Sequence, residues 1–268
     1  MSKSGPQLGR LMQYVCQDGY ELLHTGVGGF PEGLKAKTDR FVAGYPYEEP
    51  SLLHDFANVT DPEDLPAFCD RYGLLTTDPD GVENVPHLYR EAQFFRGVLS
   101  AWVSLKPGKE PVLAEVLNNI QVSEDGIVSV TFTDGSGMAW PASGIIGPSP
   151  IVENHGYSQK FTEDQLHQFI ATVITQKMSQ HGGISITAEP YKTTDQSRAN
   201  IRTFIRPACL LVALWHMLSE LVGTEESFGQ CGQCGRWFRA SGKNAHLKVY
   251  CSGACRVRHH RTLKAPRL

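Results

Sequence analysis

Cys231-Gly-Gln-Cys234, sixteen further residues, then Cys251-Ser-Gly-Ala-Cys255: this double pairing constrains the chain more than any other feature. A tetrahedral zinc ion takes four soft donors about 2.3 Å away, and cysteines two or three residues apart reach one ion from a tight turn or a helix's first turn. Gly232 and Gly235 suit such a turn, whose amides must face the sulfurs. The segment around the four cysteines is poor in aliphatic residues, so metal has to supply its folding energy. The spacing predicts one structural Zn²⁺ held by Cys231, Cys234, Cys251 and Cys255, a closed thiolate set with no open position for substrate. His246, His259 and His260 are alternative donors that could replace one thiol.

The other three cysteines, Cys16, Cys69 and Cys209, stand singly in apolar or amphipathic surroundings. An odd total of seven and an N-terminus without an apolar leader argue against a disulfide framework, and buried reduced thiols are expected. No run approaches 18 uncharged apolar residues, so no membrane span and a cytoplasmic location are expected.

Charge divides the chain. Residues 1–226 carry 28 acidic and 16 basic side chains, whereas 227–268 carry nine Lys or Arg and no acid. Such separation suits either a polyanionic partner for the tail or docking of the tail on its own acidic body. The sequence is read as two domains, a mainly helical body over 1–226 and a four-cysteine finger with a basic tail over 227–268.

Periodicity fills in the body. The first forty-five residues, interrupted by Gly26, Gly28, Gly29, Pro31 and Gly33, read as a short helix followed by a loop. Asp61 caps a short amphipathic helix carrying Leu65, Phe68 and Tyr72, closed by Gly73. From Pro86 to Leu105, Leu88, Ala92, Phe95, Leu99 and Trp102 recur at three- and four-residue steps, predicting a long core-facing helix. Between Asn118 and Trp140 the period becomes two, with turns at Asp125-Gly126 and Asp134-Gly135, predicting an antiparallel meander that Ile184–Ile186 joins. A helix capped by Thr162 and Gln165 runs toward His181 and stops at Gly182-Gly183, and another spans Pro207 to Val222. The fold class is therefore α+β: a helical body with a small meander, plus a treble-clef or zinc-ribbon-like finger. The link from Thr224 to Gln230 is too short for a free tether, so the finger is expected at a fixed angle to the body.

Within the finger, Trp237, Phe238 and Tyr250 flank the ligands. Two readings stand: they pack a miniature core and its joint with the preceding helix, or one of them stacks on an exposed base with Arg236 and Arg239 on neighbouring phosphates. Lys248, Arg256, Arg258 and Arg261 complete the candidate nucleic-acid contacts, with His259 and His260 in the same run.

The string from Cys231 to Phe238, Cys-Gly-Gln-Cys-Gly-Arg-Trp-Phe, with Tyr250-Cys-Ser-Gly-Ala-Cys-Arg256, resembles the C-terminal finger of bacterial CGNR-type zinc-finger proteins and is similar to FCS and MYM-type fingers. Leu210 to Trp215 also resembles the Leu-x-x-Ala-Leu-Trp helix that leads into such fingers. The resemblance implies transcriptional regulation or nucleic-acid binding, with DNA or RNA as partner. The motif that names the family is replaced here by Cys255-Arg256-Val257-Arg258. A protein partner or a homodimer, with the basic finger docked on acidic groups, is the alternative. No catalytic pattern is readable: His54-Asp55 and the group His87, Arg90 and Glu91 read as surface polar clusters, and no enzyme is expected.

Overall fold

The computed structural model of the chain describes residues 7–8, 13–24, 29–76, 81–105, 117–122, 127–132, 137–141, 163–191, 200–222, 227–240 and 247–264. In chain order the strands and helices are β1 (Gln7–Leu8), β2 (Gln13–Cys16), β3 (Tyr20–Leu23), β4 (Gly33–Ala36), β5 (Phe41–Gly44), α1 (Leu52–Ala57), α2 (Leu65–Tyr72), β6 (Val82–Asn84) and α3 (Val85–Ser104). There follow β7 (Leu117–Val122), β8 (Ile127–Phe132), β9 (Gly137–Pro141), α4 (Glu163–Ser179), β10 (Ile184–Tyr191), β11 (Asn200–Pro207), α5 (Leu210–Val222), β12 (Ser227–Gln230), β13 (Trp237–Ala240) and α6 (Gly253–Lys264). Helices and small, mostly antiparallel sheets define an α+β protein. The chain divides into two compact units, one formed by 1–92 with 176–268, the other by 93–175.

The larger unit is organised by α5. Leu210 to Trp215, Leu218 and Leu221 are all buried, an apolar surface wide enough to be covered on several sides. Leu52 and Phe56 of α1 and Leu65, Phe68 and Tyr72 of α2 share this core, with Phe56, Phe68 and Tyr72 in tilted ring contacts. Asp61 starts this region as expected: its carboxylate accepts from the Glu63 amide, the Asp64 carboxylate accepts from the Asp61 amide, and a 3₁₀ turn over Pro62–Asp64 leads into α2. At the edge of the core the Tyr72 hydroxyl and Arg71 both donate to Asp55, at 2.6 and 2.8 Å, which ties α2 to α1. Cys16, Cys69 and Cys209 are buried free thiols, as expected.

In the smaller unit β7, β8 and β9 form the predicted meander. The turns Asp125-Gly126 and Asp134-Gly135 lie outside the described residues, as does the capping position Thr162. The apolar stripe of α3 is buried at every predicted position, Leu88, Ala92, Phe95, Leu99 and Trp102, and on α4 Ile170, Val173 and Ile174 are buried.

Three expectations are corrected. The first forty-five residues hold four-residue strands where a short helix was expected: β2 pairs with β5 and β3 with β4, antiparallel, while β6 extends the second pair. Ile184–Ile186 lies in β10, which pairs along its whole length with β11 instead of joining the meander. Pro207 ends β11, so α5 begins three residues later than read, at Leu210.

Candidate metal centre and basic face

The hairpin β12–β13 is in register from Ser227 opposite Ala240 to Gln230 opposite Trp237, and its turn carries the first cysteine pair. That turn is a knuckle. The Cys231 amide donates to the Arg236 carbonyl at 2.9 Å, and the Gly235 amide donates to the Cys231 carbonyl at 2.8 Å. Gly235 sits at φ +70, a left-handed conformation that glycine adopts without steric cost. The Gly232 amide donates to the Val249 carbonyl at 2.9 Å, drawing the second cysteine segment against the first. Cys251 precedes α6 and Cys255 lies in its first turn, where the Ser252 hydroxyl accepts from the Cys255 amide at 3.2 Å.

The four sulfurs all lie within 4.8 Å of one another, a group that could hold a metal ion. Cys234 Sγ is 3.7 Å from Cys251 Sγ, which is 3.5 Å from Cys255 Sγ. Sulfurs about 2.3 Å from a tetrahedral ion sit about 3.8 Å apart, so the donor set fits one ion. The thiols are electrostatically interdependent. Burial works against ionisation of Cys231, yet backbone contacts from Cys251, Gln233 and Cys234 bring it down to about 6. Burial and the neighbouring thiols Cys255, Cys231 and Cys234 instead push Cys251 up to about 12. Four sulfurs this close ionise together only with a cation among them.

The aromatic residues divide as the packing reading required. Cys231, Phe238 and Ala240 form a small buried cluster with Tyr250 and Cys255 against it, and Trp237 is buried beside them in sequence. Tyr250 also meets the His259 ring at 5.3 Å, which seats α6 on the knuckle. His259 and His260 are absent from the metal group, and His246 lies outside the described residues.

The hairpin is fixed to the body through Asn58, at the C-terminus of α1. Its Oδ1 accepts from the Trp237 amide at 2.7 Å and its Nδ2 donates to the Trp237 carbonyl at 3.1 Å, a two-bond clamp between residues 179 apart in sequence. Phe228 lies 6.4 Å from the His54 ring, and a cavity next to the hairpin is lined by Glu48, Glu49, Leu53, Phe228 and Arg239. Nothing in the sequence singles out Asn58.

The predicted basic contacts fall into two groups. Arg236 and Arg239 belong to the hairpin side and act electrostatically on His54 of α1. Arg256, Arg258 and Arg261 are exposed on α6, with Val257 and His260, while Cys255 and His259 turn inward. The guanidinium groups of these three arginines have no ion pair among the described residues. Lys248 is exposed just before the second cysteine pair.

The polar clusters of the body differ from their expected character. His54 Nε2 lies 3.6 Å from Asp55 Oδ1 and is half-buried. Glu91 is not a surface residue: it is 1% exposed and forms an ion pair with Lys177, which is 5% exposed. Among the described residues, no helix is long and apolar enough to cross a membrane. No protein-family model matches the chain, and comparison with curated proteins and with solved structures returns no match.

Proposed function

We propose that the chain is a nucleic-acid-binding regulator whose C-terminal finger is shaped by one structural Zn²⁺ on Cys231, Cys234, Cys251 and Cys255, as in the CGNR-type proteins it resembles. The observation that carries this reading is α6. This helix leaves the cysteine cluster bearing Arg256, Arg258 and Arg261 on its solvent side, with no acidic residue anywhere from 227 to 268. A closed four-thiolate site leaves the metal no substrate position, so its work is to hold α6 against the hairpin. The arginines then meet phosphates, and each neutralised phosphate releases counterions.

The test is fluorescence anisotropy of the zinc-loaded full chain with duplex and single-stranded DNA and RNA, at several salt concentrations. Log affinity falls linearly with log salt, and replacing Arg256, Arg258 and Arg261 together by Ala lowers that slope by about 0.9 per lost duplex contact. Absence of binding to every nucleic acid at low salt refutes the reading. A second reading, docking on acidic protein, is favoured by Arg239 lining a cavity with Glu48 and Glu49. It accounts for the hairpin half of the finger and leaves α6 to a separate partner.

A further inference from the structure

The start of α3 and the end of α4 bring together four titratable groups that the finger does not use. His87 and Glu91 are four residues apart on α3 and so share one of its faces. Asn84 fixes the beginning of that helix, its Oδ1 accepting from the His87 amide at 2.8 Å. From α4, Lys177 donates to Glu91 Oε1. The turn that ends α4 carries His181, whose ring centre is 5.4 Å from that of His87.

Two atoms here are buried without a hydrogen-bond partner: His87 Nε2 and Glu91 Oε2. Glu91 as a whole is 1% exposed, and an orphaned carboxylate oxygen at that depth carries an uncompensated desolvation penalty. Backbone strain adds to the pattern. Among the described residues His181 is the non-glycine residue with positive φ, at 53, and is followed by Gly182 and Gly183 at φ 87 and 68. The turn is pinned from both sides, by the Gly183 amide on the Gln180 carbonyl and the Ala208 amide on the Gly183 carbonyl, each at 2.9 Å. An exposed histidine held in a left-handed conformation is the kind of strain retained where a side chain must be aimed.

We propose that His87, Glu91 and His181 form a second metal site, taking a divalent transition ion and independent of the cysteine cluster. The donor chemistry fits. Two imidazoles and one carboxylate suit ions such as Zn²⁺, Co²⁺ or Fe²⁺, and leave coordination positions open. Two imidazoles whose nitrogens lie about 2.0 Å from a shared ion place their ring centres roughly 5 Å apart, close to the spacing seen here. Lys177 has a defined part. Its ammonium donates to Oε1 and so leaves Oε2 as the ligand atom, the usual arrangement of a hydrogen-bonded metal carboxylate. The three donor atoms are not all within 4.8 Å of one another, so the site closes by side-chain rotation, for which the exposed His181 ring has room.

The experiment uses the full chain with its finger saturated by zinc, titrated with Co²⁺ and followed by calorimetry and visible absorption. A second equivalent binds with a nitrogen and oxygen ligand spectrum, distinct from that of a thiolate site. His181→Asn, which retains a residue tolerant of the left-handed backbone, weakens it by more than about tenfold, as does His87→Gln, with finger zinc unchanged. The wild-type chain taking no second equivalent overturns the proposal. So does a second equivalent whose affinity His181→Asn leaves untouched, since the ion is then held elsewhere. If His87→Gln fails to fold, the wild-type titration and His181→Asn decide between these results.

Discussion

Removing the side-chain amide of Asn58 tests how the finger is held. In Asn58→Ala the Trp237 amide and carbonyl each lose a partner, at 2.7 and 3.1 Å in the native chain, and Trp237 is only 6% exposed. A net hydrogen bond contributes about 0.5–1.5 kcal/mol, so the pair contributes about 1–3 kcal/mol, and poor access of water to Trp237 places the loss toward the upper end. At about 1.4 kcal/mol per factor of ten, the docked hairpin becomes roughly 30- to 100-fold less favoured over the detached one. Urea unfolding of the zinc-loaded full chain should show the midpoint falling, and amide exchange should rise across Ser227–Gln230 and Trp237–Ala240 first. Because docking and metal binding are linked, zinc affinity falls by up to the same factor if the detached finger holds its ion less tightly. A stability change under about 0.5 kcal/mol with unaltered exchange would refute the clamp, leaving Phe228 and the short link to fix the finger.

Two further outcomes follow from the body. Gly73 ends α2 at φ +85, and a Cβ there would meet Gln13 Cγ at 2.6 Å and the Tyr14 carbonyl oxygen at 2.9 Å, so Gly73→Ala should destabilise by about 1–3 kcal/mol in denaturant titration. The second concerns pH. Burial depresses the pKa of His54, Asp55 opposes that shift, and Arg71, Arg236 and Arg239 reinforce it. The unfolded chain therefore binds a proton more readily than the folded one, and stability present above about pH 6.5 declines as pH falls below it. Unfolding midpoints of zinc-saturated wild type and His54→Gln, compared at pH 7.5 and 5.5, should show a smaller decline in the variant.

Local patterns were legible, and long-range pairings were not. The cysteine spacing announced a cluster whose sulfurs do converge, and the three- and four-residue steps of α3 mark side chains that are buried at every position. Asp61 and Gly73 bracket α2 because caps are local chemistry. The N-terminal strands escaped because each holds only four residues, too few to establish alternation, and β2 finds β5 across an intervening hairpin. Pro207 looked like the first residue of a helix but closes a strand, a role proline fills equally well since neither position needs its missing amide hydrogen. Asn58 with Trp237, and Glu91 with Lys177, are joined across 179 and 86 residues, and no spacing rule connects them.

The central claim is that one metal ion organises the basic C-terminus. Native mass spectrometry of the full chain, purified without added metal and dialysed against a mild chelator, measures it directly. One retained zinc per chain in the wild type, and none in Cys234→Ser, is the predicted result. A wild-type chain with no retained ion, and with all four sulfurs of the cluster reacting freely with a thiol reagent, would contradict it.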